Sequence, residues 1–85
     1  MATKQNARMG WERWLKHLGQ RLSVLRDESG LTNDEIAHRC GVTRWTVSRW
    51  FAGSYAPRIN HLYILAGLWD VDVEQLVPSF RIGGK

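Results

Sequence analysis

Arg44, Trp45, Ser48 and Arg49 fall in one short stretch of the chain, Thr43 to Ala52. If that stretch is a helix, successive residues turn by about 100°, and Val47, Trp50 and Phe51 share one arc of about 100° that points inward. Trp45, Ser48, Arg49 and Ala52 then take the opposite side, with Arg44 at its edge near the helix start. The uncovered face carries two guanidinium groups, a hydroxyl and an indole. A guanidinium fork matches the guanine edge, and each such pair is worth about 1–3 kcal/mol of discrimination against the wrong base. Serine bonds a base edge or a phosphate. An indole turned to water implies a contact, and a thymine methyl with its sugar edge is a suitable one. These four residues are the candidates for reading bases. The plainer alternatives are a solvated basic face, and a Trp45 packed on a loop or a second subunit.

A second set has the chemistry to hold phosphates. Thr32 and Asn33 open the preceding helix, where free N–H groups and the helix dipole favour an anion. Thr43 suits both capping and phosphate donation. Ser54 and Tyr55 bring hydroxyls in the loop that follows, and Arg58 and Asn60 open the next helix beside it. Asp34 and Glu35 would repel a phosphate, so they are expected to cap and to face away. Arg21 is expected to tie the first helix to acids nearby.

The elements that must position these side chains read as helices throughout. Trp11, Trp14, Leu15, Leu18, Leu22 and Leu25 recur at three- and four-residue steps and make one apolar stripe. Gly30 suits the left-handed residue that ends that helix. Thr32 with Glu35 three residues on is a capping box, and Leu31 is placed to staple onto Ile36. The second helix stops at Gly41, and Thr43 caps a third that Gly53 ends. A fourth runs from Arg58 to Trp69, with Ile59, Leu62, Leu65, Ala66 and Trp69 on one side. Asp72 caps a final turn, Val73 to Val77, which Pro78 stops. There is no hairpin signal and no internal repeat.

Eighty-five residues and 9.8 kDa allow one small domain. With 44% apolar and 24% charged residues, the chain has enough to bury, which excludes general disorder. Twelve Lys and Arg against eight Asp and Glu give a net charge of +4, and the pI near 9.8 points to a polyanionic partner. The charge is segregated. Asp27 to Ala37 carries only acids, and His38 to His61 only Arg39, Arg44, Arg49 and Arg58 as full charges. A single cysteine excludes an internal disulfide and fits a reducing cytosol, so the expected location is cytoplasmic. The first residues lack the pattern of a secretory signal. No apolar run approaches the roughly 20 residues that span a bilayer.

Rival chemistries find little support. His38 and Cys40 diverge on a helix, while His17 and His61 lack ligand-spaced partners, so no metal or other cofactor is expected. Neither a phosphate-binding glycine loop nor a nucleophile motif is present, and no enzyme activity is expected. Trp11 to Arg26 alone resembles a basic interfacial helix, yet the same stripe is what a first helix needs to bury a core.

Asn33 to Ala52 meets the steric demands of a helix-turn-helix without a gap. Ala37 stands where two helices cross, Gly41 takes the turn, and Ile36, Cys40, Val42, Val47 and Trp50 form the wedge. From about Leu18 to Val77 the chain resembles the Cro/C1-type (XRE, lambda-repressor-like) helix-turn-helix family of small bacterial and phage regulators. The resemblance rests on Gly19-Gln20-Arg21-Leu22 through Arg26, on Gly30-Leu31-Thr32 with Glu35-Ile36-Ala37, on Gly41-Val42-Thr43 with Val47-Ser48-Arg49-Trp50 and Gly53, and on Pro57, Leu62, Leu65-Ala66 and Val71 to Leu76. Asp70 departs from it, standing where the family often has Gly in a left-handed turn, a conformation Asp tolerates. Trp14, Trp45 and Trp69 exceed the family's usual aromatic content.

The resemblance implies an all-α, five-helix domain over residues 11–77, between a flexible basic arm at 1–10 and a tail at 78–85. It implies binding to double-stranded DNA with the third helix in the major groove, as a transcriptional regulator, in the first instance a repressor. Homodimers on palindromic operators are the family's usual form, and Val77 to Ile82 either pairs two copies or simply frays. No membrane and no small-molecule ligand are expected. The alternative is a protein-interaction module on the same fold, such as an antitoxin or a transcription cofactor. It would have no need of both Arg44 and Arg49.

Overall fold

The computed structural model describes residues 3–77, with side chains from Gly10 onward. Five helices follow in order: α1 (Thr3–Ser29), α2 (Asn33–Cys40), α3 (Arg44–Ala52), α4 (Ile59–Trp69) and α5 (Val73–Leu76). No strand occurs among the described residues.

α1 begins inside the segment expected to be an arm. Lys4, Gln5, Ala7, Arg8 and Met9 are all residues with good or ordinary helix propensity, and the backbone helix of α1 runs through them. At 27 residues and about 1.5 Å per residue, α1 is about 40 Å long. That accounts for most of the molecule's 44 Å long axis. The tail at 78–85 lies outside the described residues.

The caps form where the sequence places them. Thr32 accepts from the Glu35 N–H at 3.1 Å, and the Glu35 carboxylate accepts from the Thr32 N–H at 2.8 Å. Thr43 accepts from the Thr46 N–H at 3.2 Å and so stands just outside α3. Gly41 takes φ 72°, and the turn it permits lets the Val42 N–H donate to the Ala37 carbonyl at 3.0 Å. Asp70 makes the corresponding turn after α4 at φ 56°, the one non-glycine residue with positive φ among those described.

The core draws on every helix: Leu15, Leu18 and Leu22 from α1, Ile36, Ala37 and Cys40 from α2, Val47 and Trp50 from α3, Leu62, Leu65 and Ala66 from α4, and Leu76 from α5. Trp50, 2% exposed, is the largest side chain in it. Two residues assigned to apolar faces lie outside. Trp11 is 53% exposed and stacks on Trp14 with ring centroids 5.5 Å apart. It continues the α1 stripe on the N-terminal side of Leu15, the first buried residue of α1 among those described. Ile59 is 63% exposed, because it opens α4 at the edge of that helix's buried arc. Phe51 and Trp69 are half-buried, the latter donating its indole N–H to the Ser29 hydroxyl at 3.2 Å.

Arg21 is structural, but its partners are carbonyls rather than acids. Its Nη1 donates to the Val77 oxygen at 3.1 Å and the Gln75 oxygen at 3.5 Å. The last carbonyls of a helix are unsatisfied acceptors with partial negative charge, which a guanidinium complements. Arg21 thereby fastens α5 to α1.

Candidate nucleic-acid interface

α2 and α3 meet through Ile36, Ala37, Cys40, Val47 and Trp50, all buried. This wedge fixes which side of α3 is outside. Arg44, Trp45, Arg49 and Ala52 are exposed, and Trp45, at 68%, is the most exposed of the large apolar side chains. Arg44 is in two loose contacts. Its guanidinium carbon lies 6.0 Å from the Trp45 ring centroid, and its Nη1 is 3.7 Å from the Asp34 carboxylate. That ion pair is largely solvated on both sides, and such pairs contribute about 0–1 kcal/mol. Arg44 is therefore readily redirected toward an anion. Ser48 is half-buried and accepts a hydrogen bond from the Asn33 side-chain amide at 3.4 Å.

The remaining candidates divide into occupied and unoccupied groups. Thr32 and Thr43 are exposed, but their hydroxyls are engaged in capping, and Thr43 Oγ1 also lies 3.1 Å from Thr46 Oγ1. The Glu35 carboxylate accepts from the Thr32 N–H at 2.8 Å and from the Thr32 hydroxyl at 3.2 Å, and these two bonds hold the carboxyl below its ordinary range, the first having the larger effect. Asn33 is half-buried, with its side chain turned to Arg26 and Ser48. Ser54, Tyr55, Arg58 and Asn60 are exposed along the loop and the start of α4. Arg58 makes no side-chain cap bond there. A shallow cleft lined by Val42, Thr46, Trp50, Tyr55, Arg58 and His61 joins this loop to the turn before α3.

Sequence reasoning passed over Arg26 as a site residue. It occupies the last turn of α1, 26% exposed in its side chain, with its guanidinium carbon 4.4 Å from the Phe51 ring centroid. Its Nη1 donates to Asn33 Oδ1 at 3.0 Å. The available signal was its place as the lone base beside the acidic block that begins at Asp27.

A family model described as helix-turn-helix matches residues 22–76, the span of α2 to α5 and the end of α1. The chain belongs to the Cro/C1-type helix-turn-helix family. Domains of this family bind DNA, and the all-helical architecture here is the family's fold. One curated relative, called an uncharacterized HTH-type transcriptional regulator YobD, comes from Bacillus subtilis (strain 168) and is 34% identical over 58 residues. The aligned stretch is 68% of this chain and 52% of that protein, so the chain spans about half the length of the relative it matches. No solved structure matches significantly. None of the described helices is long and apolar enough to cross a membrane.

Proposed function

We propose that this helix-turn-helix domain is a sequence-specific, double-stranded DNA-binding transcriptional regulator with no catalytic activity, and that it acts as a repressor. α3 enters the major groove, where Arg44, Trp45, Ser48 and Arg49 meet base edges. Thr32, Asn33 and Thr43 approach one stretch of backbone. Ser54, Tyr55, Arg58 and Asn60 approach the next. A homodimer on a palindromic operator would set two copies of α3 about one helical turn apart, about 34–36 Å.

The observation that carries this reading is the division of α3 into two faces. Val47 and Trp50 are sealed in the core, while Arg44, Trp45 and Arg49 stand in solvent on the other side. No acid lies on α3 itself. Selection from random duplex DNA, combined with the mass of the complex, tests it. The expected result is one enriched site bound by two chains. Recovery of no preferred sequence, or binding to single strands alone, would sink the proposal.

A further inference from the structure

Three polar side chains from three helices form a directional series. Arg26 has only donors, and its Nη1 donates to Asn33 Oδ1 at 3.0 Å. That contact fixes which way the Asn33 amide faces, since the reverse orientation would set donor against donor. The Asn33 Nδ2 group is left toward Ser48 and donates to Ser48 Oγ at 3.4 Å. Ser48 Oγ is therefore an acceptor on its inner side. No acceptor for the Ser48 hydroxyl proton is found among the described residues. The origin of the series is held firmly, because Arg26 Nε also donates to Asp27 at 3.3 Å and the guanidinium lies over Phe51.

We propose that Arg26 and Asn33 are specificity-positioning residues that set the hydrogen-bonding sense of Ser48, so that position 48 presents a donor to the base edge it meets. This rests on the DNA-binding reading above and deepens it. In the major groove guanine offers N7 and O6 as acceptors, adenine N7 and thymine O4, whereas cytosine offers only its amino donor. Ser48 keeps a second lone pair, but its one proton is free to face outward, so a serine held in this sense favours guanine, adenine and thymine over cytosine.

Binding selection with the wild-type chain and three variants tests this assignment. A single neutral hydrogen bond corresponds to a preference of about 2- to 12-fold, so one operator position should be depleted of cytosine by that factor. Ser48→Ala should flatten that position alone. Asn33→Asp supplies acceptors only and keeps its pair with Arg26, so Ser48 must donate inward and turn its lone pairs out. The same position should then favour cytosine and adenine over guanine and thymine. Arg26→Gln frees the Asn33 amide to turn over, and the bias should shrink. Equal loss on all sequences in Ser48→Ala, as a phosphate contact would give, overturns the assignment, and so does an Asn33→Asp profile that still excludes cytosine.

A second measurement needs no DNA. In the free protein the Asn33 side-chain amide proton that faces Ser48 should exchange more slowly in the wild type than in Ser48→Ala. An unchanged rate in the variant overturns the hydrogen-bond order. A chain that selects no sequence overturns the DNA reading and this inference with it. A chain that selects a site indifferent to Ser48 and Asn33 overturns this inference alone.

Discussion

Gly19 of α1 and Gly53 at the end of α3 touch backbone to backbone. A methyl group on Gly19 would come within 2.8 Å of the Gly53 nitrogen and 2.9 Å of the Phe51 carbonyl oxygen. A methyl on Gly53 would meet the Lys16 Cα at 3.0 Å, at a φ of 75° that side chains rarely adopt. α1 therefore seats the end of α3 directly on its own backbone, and the direction of α3 depends on that contact.

The same substitution should have opposite signs at two helical glycines. Gly19→Ala forces backbone apart and should destabilise the domain by about 1–3 kcal/mol. Gly67 of α4 has nothing within 4 Å of where a Cβ would sit. Gly67→Ala should stabilise by about 0.5–1 kcal/mol through helix propensity and a less flexible unfolded chain. Denaturant midpoints of the two variants provide the check, and an equal effect at both would refute the close approach.

The two arginines bracketing the loop after α3 should separate by kind of contact. Arg49→Ala should weaken binding to the selected operator and relax preference at one position, by about 1–3 kcal/mol. Arg58→Ala should weaken binding to all duplexes and reduce the slope of log K against log salt by about 0.9 for the lost phosphate. Titrations at several salt concentrations read both effects. An unchanged slope removes Arg58 from the phosphate contacts.

Cys40 should be chemically silent in the folded protein. It is buried at the end of α2, and burial raises its thiol pKa above the ordinary value. The thiol is therefore both covered and protonated near neutral pH. Alkylation should proceed only as fast as the domain opens and become rapid in denaturant. Fast labelling under native conditions would contradict this burial.

Acid should act through the cap of α2. The Glu35 carboxyl is held below its unfolded value of about 4.3 by the hydrogen bonds from Thr32. Its stabilising contribution is complete above that unfolded value and is lost as pH falls through the folded one. Glu35→Gln retains the capping geometry without the charge. The variant should be the less stable of the two at neutral pH, and the difference should close as pH falls below about 4. Thermal midpoints across that range give the test, and a constant gap would exclude the carboxylate as its source.

Much of the domain was legible in its amino-acid order because the interactions concerned are local. Thr32 reaches Glu35 and Thr43 reaches Thr46 within one turn of helix, whatever else the chain does. Gly30, Gly41 and Gly53 stop helices by their own backbone freedom, and Asp70 does the same where the family often has Gly. The periodicity of Val47 and Trp50 likewise sufficed to say that Trp45 and Arg49 stand outside. Other features depend on where whole helices lie, and only the tertiary structure decided them. Trp11 and Ile59 obey the apolar period yet remain exposed, since burial depends on where the neighbouring helices lie as well as on the spacing. Arg21 finds carbonyls more than fifty residues away, and Arg26 finds Asn33 and Phe51. A charged side chain long enough to reach several partners takes the one that packing brings near. That distance is a property of the assembled helices, and no spacing along the chain encodes it.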